Sequence, residues 1–220
     1  MTFISYDFYW PEMDAAAVCA NQDAAGAANL LLNGSFATPI SNQISFIEKG
    51  FIRVVSITSP DDNSGVTFTI SGYQNGVFIT EDIGGPNNNT VYGTTPFDII
   101  TNIITDGGVT NISVGTGGTG YLPLMGVNTR GAFPILNYGI QAIPTNITYQ
   151  MFRTFYDVYM NGLTIAQQQV QGYWYDRGDG PKNGPYIYDS QSISMVNYML
   201  LSINSTDANP GKLIARYLQT

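Results

Sequence analysis

The chain has 220 residues, 44% of them hydrophobic and only 11% charged, roughly half the charged share usual in globular proteins. A net charge of −8 and a pI of about 4.1 argue against direct nucleic-acid binding, which needs a basic patch. No histidine and a single cysteine, Cys19, exclude Ser-His-Asp and Cys-His catalysis, histidine zinc sites, an intrachain disulfide and a cysteine metal cluster.

Polarity comes instead from Asn, Gln, Ser, Thr and Gly, so the surface can meet a partner with little desolvation of charge. The length suits one large all-β domain or two of about 100 residues.

The first stretch, "MTFISYDFYWPEMD", crowds Phe3, Tyr6, Phe8, Tyr9 and Trp10 ahead of Pro11. It carries acids but no Lys or Arg, unlike a secretory signal, and no apolar run in the chain reaches the length of a membrane span. Two readings of these aromatics stand: a strand packing on its own domain, or an arm docking on a neighbouring subunit, where aromatics are favoured anchors. The Ala-rich residues 13–20 suggest a short helix, and "NLLLNG" a strand ending in a turn. Cys19 reads as a small buried apolar residue.

From Ile40 to Val114 the signal is β throughout. "FIRVVSIT" is a β-branched run and "SPDDNSG" (59–65) a turn cluster. "VTFTISG" places Val66, Phe68 and Ile70 on one face and Thr67, Thr69 and Ser71 on the other. Asn75-Gly76 predicts a type I′ hairpin, whose two central residues need positive φ. "GGPNNNTVYGTTPF" reads as a loop, and "FDIITNIIT" and "TNISVG" as strands. Residues 115–134 read as a linker. Beyond it come an alternating strand at Ile147, Tyr149 and Met151 and a helical turn at 163–171. An irregular aromatic loop and the closing strands "SISMVNYMLLSIN" and "KLIARYLQT" complete the chain.

These elements predict an all-β chain of two tandem β-sandwich domains, jelly-roll or Ig-like, with an N-terminal aromatic arm. The divisions are an arm over 1–19, one sandwich over 20–120 and a second over 121–220.

Several motifs invite chemistry. Gly115, Gly117 and Gly120 give G-x-G-x-x-G, but Pro123, Gly126, Gly131 and Pro134 leave no helix for the loop to open. No acidic residue follows until Asp157, so a flexible turn at a strand end is the better reading. Counted from Asp61, "PDDNSG" would need a calcium-binding Glu at its twelfth position, where Gly72 stands. "YDRGDGPKNG" reads as a turn around Arg177-Gly178-Asp179. Glu12, Glu48 and Glu81 are the glutamates, and no acid is spaced as a catalytic pair, so no enzyme, metal or cofactor is predicted. The Asn-x-Ser/Thr sites at Asn33, Asn88, Asn111, Asn146 and Asn204 reflect a polar β composition.

"AAGAANLLLNGSF" (24–36), "RVVSITSPDDNSGVTFTISGYQNGVFITEDIGGPNNNTVYGTTPFDIITNI" (53–103) and "NISVGTG" (111–117) together resemble a widespread group of tailed-bacteriophage virion proteins. "TNITYQMFRTFYDV" (145–158) and "YMLLSINSTDANPGKLIARYLQ" (198–219) resemble that group more loosely. The resemblance implies a non-enzymatic structural protein of a phage particle, assembled in the host cytoplasm. The leading expectation is a capsid decoration or cement protein that contacts the major capsid protein and other copies of itself. The alternatives are a neck or tail component and a carbohydrate-binding module for host recognition. The residues expected at subunit contacts are Phe3, Tyr6, Phe8, Tyr9 and Trp10 in the arm, and Tyr173, Trp174 and Tyr175 in the aromatic loop. Neither nucleic acid nor membrane is an expected partner.

Overall fold

The computed structural model describes residues 4–10, 12–37, 43–122, 125–126, 136–143, 147–154, 162–176, 182–183, 186–190, 198–205 and 212–219. Within these residues the chain is all-β, with one short α-helix. In chain order the first strands are β1 (Ile4–Trp10), β2 (Cys19–Ala24), β3 (Ala28–Asn29), β4 (Ile44–Ser45) and β5 (Ile52–Asp62). Next come β6 (Thr67–Gln74), β7 (Val77–Gly84), β8 (Asn87–Tyr92), β9 (Ile99–Thr105) and β10 (Val109–Tyr121). Then follow β11 (Met125–Gly126), β12 (Leu136–Ile143), β13 (Ile147–Thr154) and the helix α1 (Ile165–Val170). The last strands are β14 (Tyr175–Asp176), β15 (Lys182–Asn183), β16 (Tyr186–Ser190), β17 (Tyr198–Ser205) and β18 (Lys212–Gln219).

The chain divides into two units. One is continuous, Met13–Thr119; the other is discontinuous, joining Met1–Glu12 to Gly120–Thr220.

In the continuous unit one sheet runs β2-β10-β5-β8 and a second β3-β9-β6-β7, with β4 also paired to β9. The apolar run of β5 is buried from Ile52 to Ile57 on both of its faces, which explains why it reads as continuous rather than alternating. β6 alternates as predicted: Phe68 and Ile70 are fully buried while Thr67, Thr69 and Ser71 are half-buried. Asn75 and Gly76 take φ of 52° and 75°, so β6 and β7 close as the predicted hairpin.

Four local readings change. Residues 13–20 form no helix. The Asp14 carboxylate accepts from Ala16 N at 2.8 Å, and Thr116 N donates to Asp14 O at 2.9 Å, so a turn and a tie to β10 override alanine's helix preference. "NLLLNG" is not a strand beyond Asn29, because the Gln22 side-chain amide occupies both Leu31 N and Leu31 O at 3.0 Å, where a strand partner would bond. β5 runs on through Pro60 to Asp62, with the register to β8 shifted between Ser59 and Asp62, where proline has no N–H to give. The Asn-rich residues 87–92 are strand β8, not a loop.

Residues 115–121 are likewise not a linker but the second half of β10. A Cβ on Gly115 would stand 2.0 Å from Asp14 O, so glycine is required where the 14–15 backbone crosses the strand.

In the discontinuous unit one sheet runs β1-β18-β12-β16. In the other, β14, β13 and β17 are consecutive, β15 pairs with β13, and β11 pairs with β17. The last two residues of β10, Gly120 and Tyr121, lie opposite Ile203 and Ser202 of β17. The predicted helical turn is α1, started by a capping box in which Thr164 Oγ1 accepts from Gln167 N while Gln167 Oε1 accepts from Thr164 N.

Candidate functional site

Tyr6, Phe8, Tyr9 and Trp10 all lie on β1, which is antiparallel to β18 along its whole length; Phe3 is outside the described residues. Register places Tyr6 opposite Tyr217, Phe8 opposite Ala215, Tyr9 opposite Ile214 and Trp10 opposite Leu213. Trp10 is fully buried.

In the aromatic loop Trp174 is 6% exposed, and its indole N–H donates to Gln168 Oε1 at 3.0 Å. Gln168, itself fully buried on α1, donates from Nε2 to Leu163 O at 3.0 Å. Trp174 is therefore a core residue with its polar edge satisfied, and it presents no open ring face for stacking on a sugar. Tyr173 is half-buried, and Tyr175 sits on β14 opposite Arg153. Arg177, Gly178 and Asp179 fall outside the described residues.

The other motifs resolve into structure. The glycine motif is strand interior and opens no helix. In "PDDNSG", Asn63 is buried and its side-chain amide faces the backbone of Thr110. Nδ2 donates to Thr110 O at 3.1 Å, and Oδ1 accepts from Thr110 N at 2.9 Å. Asp62 accepts from Ser64 N and from Ser64 Oγ, which hold its carboxyl below the usual range. Among the described residues no three acids, cysteines or histidines gather as a metal site. Burial pushes the Cys19 thiol up to about 12, making it inert as a nucleophile near neutral pH.

The strongest candidate surface went unread in the sequence. Tyr73 and Phe78 face each other across the β6–β7 hairpin, edge to face, with ring centroids 5.5 Å apart. They are 38% and 56% exposed. The pair follows from the turn: two loop residues at 75–76 put 74 opposite 77 and 73 opposite 78. Directly opposite Tyr73 on the other side is Ile99 of β9. Further along the same face Ser71, Thr80 and Asn102 line up, then Thr69, Asp82 and the exposed Ile104. Thr69 Oγ1 donates to Asp82 at 2.6 Å, and Asn102 Nδ2 to Asn29 Oδ1 at 3.3 Å, so the polar middle of the face is bonded within itself.

The hairpin tip is held from below. Asp98 N donates to Tyr73 O at 2.8 Å, Gln74 Nε2 to Pro96 O at 2.6 Å, and Asn75 N to Asp98 Oδ2 at 2.5 Å. Asp98 is 5% exposed and its Oδ1 is buried with no hydrogen-bond partner. Burial pushes its carboxyl up to about 6, and the Asn75 N–H opposes that only in part. Glu81 Oε1 accepts from Thr94 N, Thr94 Oγ1 and Thr95 N, fastening the chain after β8 to β7. Elsewhere in this unit Arg53 is buried over the Phe51 ring, 4.8 Å from its centroid. It also donates to Thr116 Oγ1 at 3.4 Å, and burial lowers it to about 9.

The face around Tyr73 and Phe78 offers partly aromatic area with a single charged residue, Asp82, suited to contact with a partner. Among the described residues no helix is long and apolar enough to cross a membrane. Comparison of the chain with family models, curated proteins and solved structures found no match.

Proposed function

We propose that the chain is a non-enzymatic structural component of a tailed-phage particle, a decoration or cement protein that contacts the major capsid protein and further copies of itself. On this reading each unit is a β-sandwich. The observation that carries it is the sheet face of β9, β6 and β7, where Tyr73, Phe78 and Ile104 are exposed among polar side chains of which one, Asp82, is charged and accepts from Thr69. Such a face gives up little hydration when covered, as repeated contacts in a symmetric shell require. The sequence resemblance over residues 24–117 points the same way.

The test is the number of copies per purified particle, counted by quantitative mass spectrometry against the most abundant shell protein. Shell symmetry predicts hundreds of copies for a decoration protein, whereas a neck or tail ring would hold about six to eighteen. Absence from the particle would overturn the proposal. Within a decorated particle, Phe78→Ser combined with Tyr73→Ser is expected to lower incorporation without unfolding the chain.

A further inference from the structure

The discontinuous unit has a covalent peculiarity. β1 closes the edge of the sheet β1-β18-β12-β16, yet it is joined to the rest of that unit only through residues 13–119, which fold as the other unit. Its place beside β18 is therefore held by strand pairing and the burial of Trp10, not by a short covalent connection. On the far side the chain is tied down from Asp14 onward, where Asp14 N donates to Thr116 Oγ1 at 3.0 Å and Thr116 N returns a bond to Asp14 O. Only Pro11, Glu12 and Met13 separate these two attachments. Proline at 11 also biases Trp10 toward the extended backbone seen in β1.

We infer that β1 is an exchangeable strand: in the assembled state residues 4–10 of one copy pair with β18 of a second copy. The occupant is specified by what the edge of β18 already accepts. β1 carries one charged residue, Asp7, and register sets it directly opposite Arg216. The register also sets four tyrosines in line across the four strands, Tyr6 opposite Tyr217, Tyr217 opposite Tyr138 and Tyr138 opposite Tyr188. A one-residue slip would break both the charge match and the aromatic row, so the edge accepts this segment in this register. A second copy supplies the identical segment, and exchange forfeits no native pairing. Charge permits the approach. Residues 13–119 hold nine acids against two bases, a net of −7, while the unit that would share the strand holds seven against six, a net of −1.

The inference deepens the self-association in the proposed function, but its test needs no particle. Ser5 lies opposite Leu218 in the β1–β18 register, at a separation a disulfide spans. Two full-length variants, Ser5→Cys and Leu218→Cys, are refolded together at high concentration and oxidised, one of them isotope-labelled so that mixed species are told apart by mass. The buried Cys19 does not compete. The expected product is a disulfide joining residue 5 of one chain to residue 218 of the other, absent when either variant is oxidised alone. The double variant in one chain, oxidised when dilute, is expected to link within itself. An intrachain link in the double variant with no mixed disulfide at high concentration would overturn the exchange. No link in either experiment would remove the register on which it rests. A chain that exchanges strands yet is missing from particles would sink the particle reading alone.

Discussion

The two units are built from the same kind of sequence and held together differently. The continuous unit carries nearly all of the net charge, yet its described polar network is neutral for the most part. Gln22 on Leu31 and Asn63 on Thr110 place side-chain amides where a neighbouring strand would otherwise bond. The discontinuous unit is nearly neutral, draws a strand from the opposite end of the chain, and encloses its two tryptophans. Buried rings occur in both units, Trp10 and Trp174 in one and Phe46, Phe51, Phe68 and Phe97 in the other. Among the residues whose burial is described, the exposed rings are Tyr73, Phe78 and Tyr92 of the continuous unit. The two tryptophans of the aromatic-dense stretches are buried, and two rings separated by a turn form an exposed pair.

The difference can be broken most severely at Gly115. Gly115→Ala sets a Cβ against Asp14 O and is expected to destabilise the continuous unit by about 3 kcal/mol or more. Gly65→Ala, with open space around its Cβ, should change stability by about 0.5 kcal/mol at most. Urea unfolding of both variants checks the pair; equal effects would mean that segment 14–15 does not cross β10 closely.

Asp98 gives the next largest effect. A carboxyl raised from 3.8 to about 6 by burial stabilises the fold in its protonated form. That contribution is complete below about pH 3.8 and is lost as the pH rises through about 6. Asp98→Asn keeps an acceptor for Asn75 N and cannot ionise. It should therefore exceed the parent in stability by up to about 3 kcal/mol at pH 8 and match it below pH 4. Urea midpoints across this range test it, and a difference independent of pH would show that Asp98 does not ionise in the fold.

In the discontinuous unit Trp174→Phe removes the donor to the buried Gln168 Oε1, costing about 1 kcal/mol. Amide exchange around α1 should rise while the continuous unit stays protected. The smallest change is Tyr73→Ser with Phe78→Ser, an exposed pair worth about 1 kcal/mol or less to the hairpin. Its thermal midpoint should barely move, and a large fall would make the pair a structural element instead of an open surface.

Much of the strand pattern was legible because it depends on neighbours in the chain. The alternation of Phe68 and Ile70, the apolar run of β5 and the turn at Asn75-Gly76 follow from side-chain period and local backbone preference. The same turn already implied Tyr73 opposite Phe78, a signal present but unused. The misread segments share one cause: a side chain or backbone group outside the segment's own periodicity overrode local preference. Alanines 15–17 gave up a helix because Asp14 bonds Thr116, and the leucines at 30–32 lost their strand to Gln22. Gly115 looked like a flexible turn because nothing near it in the chain reveals a crossing backbone.

Composition and spacing by themselves determined an acidic, histidine-free, β-rich chain without an intrachain disulfide, and placed most of its strands. Tertiary structure alone decided that the first residues complete a sheet with the last ones. It also decided which aromatics are buried, and that Asp98 lies where water cannot fully solvate its charge. The physical reason is range. Backbone preference and side-chain period act over a few residues, whereas strand partners, burial and desolvation are set by groups that can lie tens of positions or, as for β1 and β18, almost the whole chain away.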